Sequence, residues 1–168
     1  LVPERKFWRF FLFVSFFPQL VAGPIVRAKQ FLYQLDRKRR FTKEALYEGL
    51  YLIILGFFLK LVIADNIAFT VDQAWHYTRA YVPSRNGLES LALTWFFSCQ
   101  LFCDFLAYTS IARGVGYWLG FRLPINFNYP FLAGTFQEFW RRWHITLSNF
   151  LMNCIYLFLM LMNCNELY

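Results

Sequence analysis

Histidine is almost missing from this sequence, with two in 168 residues, and charged side chains make up only 16%. The two histidines, His76 and His144, and the four cysteines, Cys99, Cys103, Cys154 and Cys164, show no metal-ligand spacing and no disulfide framework. Acidic residues number 10 against 17 Lys and Arg, leaving a net charge of +7. That excess has no nucleic-acid recognition motif beside it and lies between apolar runs, so nucleic acid is excluded as a partner. Leu1 opens the chain and no signal peptide with a cleavage site follows, which reads as an internal piece of a longer protein.

What the sequence does have is apolar and aromatic bulk. Hydrophobic residues make up 58%, with 22 Phe, 10 Tyr and 6 Trp. A soluble domain would struggle to hide that many rings, so the expected class is all-α, a polytopic membrane helical protein solvated by the lipid bilayer. Four apolar regions stand out. Phe7 to Ala22 carries Arg9 and is interrupted by Pro18. Leu46 to Ala68 is the best span, with Lys60 able to snorkel and Asp65-Asn66 marking the exit. Leu88 to Leu119 is long enough to cross but holds Asp104 near its middle, and Cys99 and Cys103 lie there one helical turn apart as small hydrophobes. The fourth begins at Phe136 and continues through Ile155 to Met162.

Between the first two regions lie Arg27, Lys29, Arg37, Lys38, Arg39, Arg40 and Lys43 against Asp36 and Glu44. Between the second and third, Asp65, Asp72 and Glu89 outnumber Arg79 and Arg85; after the third come Arg113, Arg122, Arg141 and Arg142 against Glu138. The positive-inside rule puts the basic loops 23–44 and 113–142 in the cytoplasm and the middle loop outside. The run at 37–40 fits a topology signal that touches anionic headgroups, with Thr42 able to cap the helix that follows.

One block concentrates chemistry: FQEFWRRWHITLS, Phe136 to Ser148. On one continuous helix Gln137, Arg141, His144 and Ser148 share a face, with Phe136, Phe139 or Trp140, Trp143 and Leu147 opposite. Two readings stay open: a helix lining a wet cavity, or an interfacial belt of Trp and Arg. Asp104 likewise either faces a cavity, with Tyr108 one turn on able to donate to it, or pairs with Arg141 or Arg142. One of those arginines is also expected to pair with Glu138. Between the helices, Gly114, Gly116 and Gly120 lead into a loop where Pro124, Pro130 and Gly134 forbid a continuous helix. Asn126, Asn128 and Tyr129 are the side chains placed to satisfy non-helical backbone near membrane depth.

The segments FFPQLVAGPIVRAKQF, GFFLKLVIADNIA, DFLAYTSIARGVGYWLGFRLPINFNYP and FQEFWRRWHITLSNFL occur in an order and spacing that resemble the membrane-bound O-acyltransferase family, in its alginate O-acetyltransferase-like branch. The resemblance covers roughly residues 8 to 151, so residues 1–151 are read as part of such a domain. Residues 152–168 depart from it: Met152-Asn153 stand where an Arg-Asp pair would be, and LMNC recurs at 151–154 and 161–164. That end is read as truncated or aberrant.

The resemblance implies a fragment of a larger multi-helix acyltransferase core in the cell inner (cytoplasmic) membrane. It implies transfer of an acyl group, acetyl in the first instance, to hydroxyls of a cell-surface polysaccharide. No cofactor is implied as bound; acetyl-CoA or an acyl carrier is the implied donor, and periplasmic or extracellular acetylation proteins are the implied partners. His144 matches the first of the family's two characteristic histidines and is read as orienting substrate or relaying protons rather than as the sole base. The second, usually taken as the catalytic base, has no match here, so little turnover is expected of the fragment alone. In that chemistry a neutral imidazole takes the hydroxyl proton as the acyl carbonyl is attacked, and donors meet the oxyanion. Arg141 and Arg142 are candidates to attract donor phosphates. A transport or channel fragment, or an inactive scaffold, are the competing readings.

Overall fold

A computed structural model describes residues 6–38, 42–80 and 86–156, with side chains described for 6–38, 42–76 and 86–155. Arg39, Arg40, Arg85, Cys164, the second LMNC and the side chain of Arg79 lie outside these residues. Every regular element among the described residues is helical. They are α1 (Phe7–Val14), α2 (Ala28–Asp36), α3 (Lys43–Phe58), α4 (Asp65–Ala80), α5 (Gly87–Trp118), α6 (Phe136–Arg142) and α7 (Ile145–Leu151). Short 3₁₀ turns occupy Phe17–Gln19 and Pro130–Leu132, and wider π turns occupy Leu59–Ala64 and Met152–Tyr156.

Two rods are long and apolar enough to cross a membrane: Lys43–His76 and Gly87–Trp118. In the core of a soluble protein such helices would be mostly buried, yet only 17% and 6% of their most apolar stretches are. Such exposed apolar length suits helices surrounded by lipid or by further membrane helices. Asp65-Asn66 does not end the first rod, because the charge and the amide are both satisfied within it. Asp65 pairs with Lys60 at 2.9 Å, and the Asn66 amide donates to the Val62 carbonyl at 2.7 Å. Region one does not form a single helix: α1 stops at Val14, and Pro18 sits in the 3₁₀ turn that follows.

The rods pack antiparallel through small residues. Gly49 lies against Gly114, where an added methyl on Gly114 would sit 2.6 Å from the Gly49 carbonyl oxygen. Seven residues on, Gly56 meets Ala107, with its carbonyl 2.7 Å from where a Gly56 methyl would be. Lipid offers no hydrophobic drive for association, so close backbone approach is what holds two such helices. The ends are fixed locally. Thr42 Oγ1 accepts the Ala45 N–H at 3.2 Å, as expected of a cap. At the far end of α5, Gly120 (φ 77°) lets the Phe121 N–H reach the Gly116 carbonyl at 2.8 Å and closes the helix.

Beyond that cap the chain turns back. Leu123 packs on Gly116, Phe127 on Phe105 and Phe102, and Phe131 on Phe102 and Trp95. Residues 121–131 thus retrace α5 from its end to beyond its midpoint. A small core gathers Phe16, Phe31 and Phe121, with the Phe31 and Phe121 rings stacked at 4.7 Å. This core ties α2 and the Pro18 turn to the returning strand of chain. Arg9 clasps Asp36 with both of its terminal nitrogens at 2.9 Å, closing α1 onto α2.

Candidate functional site

The Phe136–Ser148 block is two helices. Thr135 Oγ1 accepts the Glu138 N–H at 3.1 Å, and Glu138 reaches back to the Gly134 N–H at 2.9 Å, so α6 starts with a reciprocal cap. The Gly134 amide and then Arg142, which pairs with Glu138, hold that carboxyl below its ordinary range. After Arg142 the chain leaves the helix. Trp143 is extended (φ −97°, ψ 128°) and His144 is left-handed (φ 42°, ψ 54°), and α7 begins at Ile145. A left-handed backbone is uncommon for a residue with a side chain and marks a position that its surroundings over-determine.

That break divides the expected polar stripe. Gln137, Arg141 and Ser148 line one groove of about 400 Å³ between α6 and α7, over Trp140 and Ile145. His144 is not among the lining residues of that groove. Its ring meets Phe105 edge-on at 4.7 Å and lies 6.5 Å from Phe127. The ring is half-buried there, and its Nδ1 is buried with no hydrogen-bond partner among the described residues. The aromatic side is divided too. Phe139 and Trp143 pack inward, stacked at 5.6 Å, whereas Phe136 is 77% exposed on the groove side.

The loop asparagines serve the backbone, in two different ways. The Asn126 carbonyl accepts the Ile145 N–H at 2.9 Å, and the Asn128 N–H donates to the Arg142 carbonyl at 3.0 Å. Asn126 is 1% exposed, and its Oδ1 accepts the Thr146 hydroxyl at 2.6 Å. Thr146 Oγ1 in turn accepts the Ile25 N–H at 3.0 Å. Three separated motifs, GPIV, PINFN and WHIT, therefore meet at one buried polar node. Tyr129 is left-handed and 73% exposed, with its carbonyl accepting from Arg142 at 3.4 Å.

Asp104 pairs with neither Arg141 nor Arg142. Its partner is Lys60 at 2.8 Å, on the π turn between α3 and α4. The wider turn makes the 60–65 spacing work: one ammonium serves two carboxylates, Asp65 and Asp104. No Tyr108 hydrogen bond to Asp104 occurs among the described residues; Tyr108 is half-buried on α5. At 1.5 Å per residue, Asp104 and Phe105, and with it the His144 ring, lie about 20 Å from the Trp118 end, near the midpoint of α5. The carboxylate and the imidazole share a level in the span, on different faces of α5.

Sequence reasoning passed over Lys60 as an ion-pair partner, Thr146 as a linker and the Thr135–Glu138 cap. The last was readable, since Thr-x-x-Glu ahead of an apolar helix is a cap signature.

A model of the membrane-bound O-acyltransferase family matches residues 5–164. The chain is 41% identical over 148 residues to a peptidoglycan O-acetyltransferase of Helicobacter pylori, covering 87% of this chain and 27% of that protein. It is 37% identical over 148 residues to a probable alginate O-acetylase of Pseudomonas aeruginosa, covering 88% and 27%. To a teichoic acid D-alanyltransferase of Bacillus subtilis it is 33% identical over 152 residues, covering 88% and 37%. The chain thus spans roughly a quarter to a third of the length of these relatives. With a family match running through both rods, the returning loop and the His144 block, the chain belongs to the membrane-bound O-acyltransferase family.

Proposed function

We propose that this chain forms part of a membrane enzyme that transfers an acyl group, acetyl in the first instance, to hydroxyls of a cell-surface polysaccharide. The observation that carries the reading is His144: a half-buried imidazole, held in a constrained backbone conformation near the midpoint of a membrane-spanning helix. Acyl transfer from a thioester needs a base for the acceptor hydroxyl, and a neutral imidazole fits. As the hydroxyl oxygen attacks the acyl carbonyl, its proton passes to the ring; the C–S bond breaks and the thiolate leaves. With Arg142 tied to Glu138, Arg141 is the cation in the α6–α7 groove, where it suits a donor phosphate. Gln137 and Ser148 line the same groove as polar contacts for substrate.

The Lys and Arg bias favours loop 23–44 and the Arg113–Arg122 end of α5 on the cytoplasmic side of the inner membrane. The returning chain then carries Arg141 and Arg142 inward. A donor such as acetyl-CoA or an acyl carrier would arrive from that side. Acetylation proteins on the far side would receive or complete the product. The acceptor class follows the relatives, whose names give peptidoglycan, alginate and teichoic acid.

The test is reconstitution of the full-length protein in vesicles with acetyl-CoA labelled in the acetyl group and polysaccharide outside. Ester-linked label on the polymer is the expected result. Label or solute that crosses unchanged, with no ester formed, would replace acyl transfer by transport. The 168-residue chain alone is expected not to turn over.

A further inference from the structure

The Trp143-His144 pair joins two helices and is pinned on both sides to one short piece of chain. On one side the Arg142 carbonyl accepts the Asn128 N–H at 3.0 Å; on the other the Ile145 N–H donates to the Asn126 carbonyl at 2.9 Å. A connection of two residues fixed at both ends has little backbone freedom, and His144 adopts φ 42° within it. The anchor is itself anchored. Thr146 and Asn126 are 7% and 1% exposed, and the Thr146 hydroxyl bridges the Asn126 side chain at 2.6 Å and the Ile25 amide at 3.0 Å. Ile25 is 121 residues away in sequence. Pro24 beside it is among the most buried residues of the molecule, so this end of the chain of bonds is held rigidly.

We infer that Thr146 and Asn126 are positioning residues for His144, holding its ring against Phe105 through a buried hydrogen-bond chain that ends at Ile25. Thr146 is suited to the task because its single hydroxyl donates to one partner and accepts from another. Asn126 presents two acceptors in one direction: its carbonyl sets the start of α7 and its side chain fixes Thr146. Valine in place of Thr146 keeps the shape and removes the bridge, leaving the Ile25 amide and the buried Asn126 Oδ1 without this partner. Serine keeps the bridge and removes a methyl. For its catalytic consequence alone, the inference rests on His144 being the reactive imidazole.

The test uses the full-length protein in lipid vesicles with ring-labelled histidine, the His144 signal being assigned by its loss in His144→Gln. Contact with Phe105 is expected to displace the His144 ring protons from free-imidazole positions. Thr146→Ser should retain that displacement. Thr146→Val and Asn126→Ala should move the ring protons toward free-imidazole positions. Should Thr146→Val fail to insert or lose helicity, Ile25→Pro decides, since it deletes the amide donor at the far end while leaving Thr146 and Asn126 in place. An unchanged ring signal in helical Thr146→Val, or in Ile25→Pro, overturns the inference. In the full-length enzyme, Thr146→Val should lower kcat about tenfold or more with the donor KM little changed, and Ser should restore it. A moved ring with unchanged turnover would count against His144 as the base and leave the positioning claim standing. Lost turnover with an unmoved ring would overturn the positioning claim.

Discussion

The ammonium of Lys60 lies 2.8 Å from the carboxylate of Asp104, joining the two long apolar rods. Asp65, at 2.9 Å from the same ammonium, makes the group a triad of two anions and one cation. Charge at this depth is costly, and the triad offsets that cost by pairing.

The two ways of breaking it are unequal. Asp104→Asn leaves Lys60 with Asp65 and should cost about 1 kcal/mol. Lys60→Met leaves two carboxylates with no cation and should cost about 2–3 kcal/mol. Unfolding of each variant in bilayers or mild detergent, compared at neutral pH, reads the difference. Equal losses would mean that Asp65 takes no part.

Close approach of the rods predicts a second asymmetry. Gly114→Ala puts a methyl 2.6 Å from the Gly49 carbonyl and should destabilise by about 1–3 kcal/mol. Gly87→Ala, at the start of α5 with nothing within 4 Å, should be neutral or stabilise by up to about 1 kcal/mol. Melting temperatures of the two variants provide the comparison.

Acid should loosen the start of α6 through Glu138. The folded environment favours its carboxylate, so its contribution is present above 4.5 and is lost as pH falls through its depressed value. Amide protection across residues 134–139 should therefore fall on acidification below 4.5, and unchanged protection there would show that the Glu138 carboxylate takes no part.

Much of this architecture is legible in residue order, and the misreadings share a cause. Apolar length marks both rods, Thr42 caps α3, and Glu138 takes an arginine, because each depends on neighbours within a turn or on bulk hydropathy. Asp104 is recognisable as a residue needing a partner. Which partner it takes depends on a π turn that shifts Lys60 around its helix, and helical periodicity assumes no such turn. The stripe from Gln137 to Ser148 fails likewise at His144, since no glycine or proline announces the left-handed turn. The hydrogen bonds that impose it come from Asn126 and Asn128, brought alongside only by the returning loop.

The α6 cap is local and should behave so. Thr135→Ala is expected to cost about 1 kcal/mol and to fray the Gly134–Glu138 end without moving the His144 ring. Amide exchange across residues 134–139 would register the change. Protection equal to the parent would show that the Glu138–Arg142 pair alone holds the helix.

The account stands most directly on His144. In the full-length protein, His144→Ala and His144→Gln should reach the membrane in parental amounts while the ester-linked acyl content of the surface polysaccharide falls to background. Parental acyl content in both variants would contradict it.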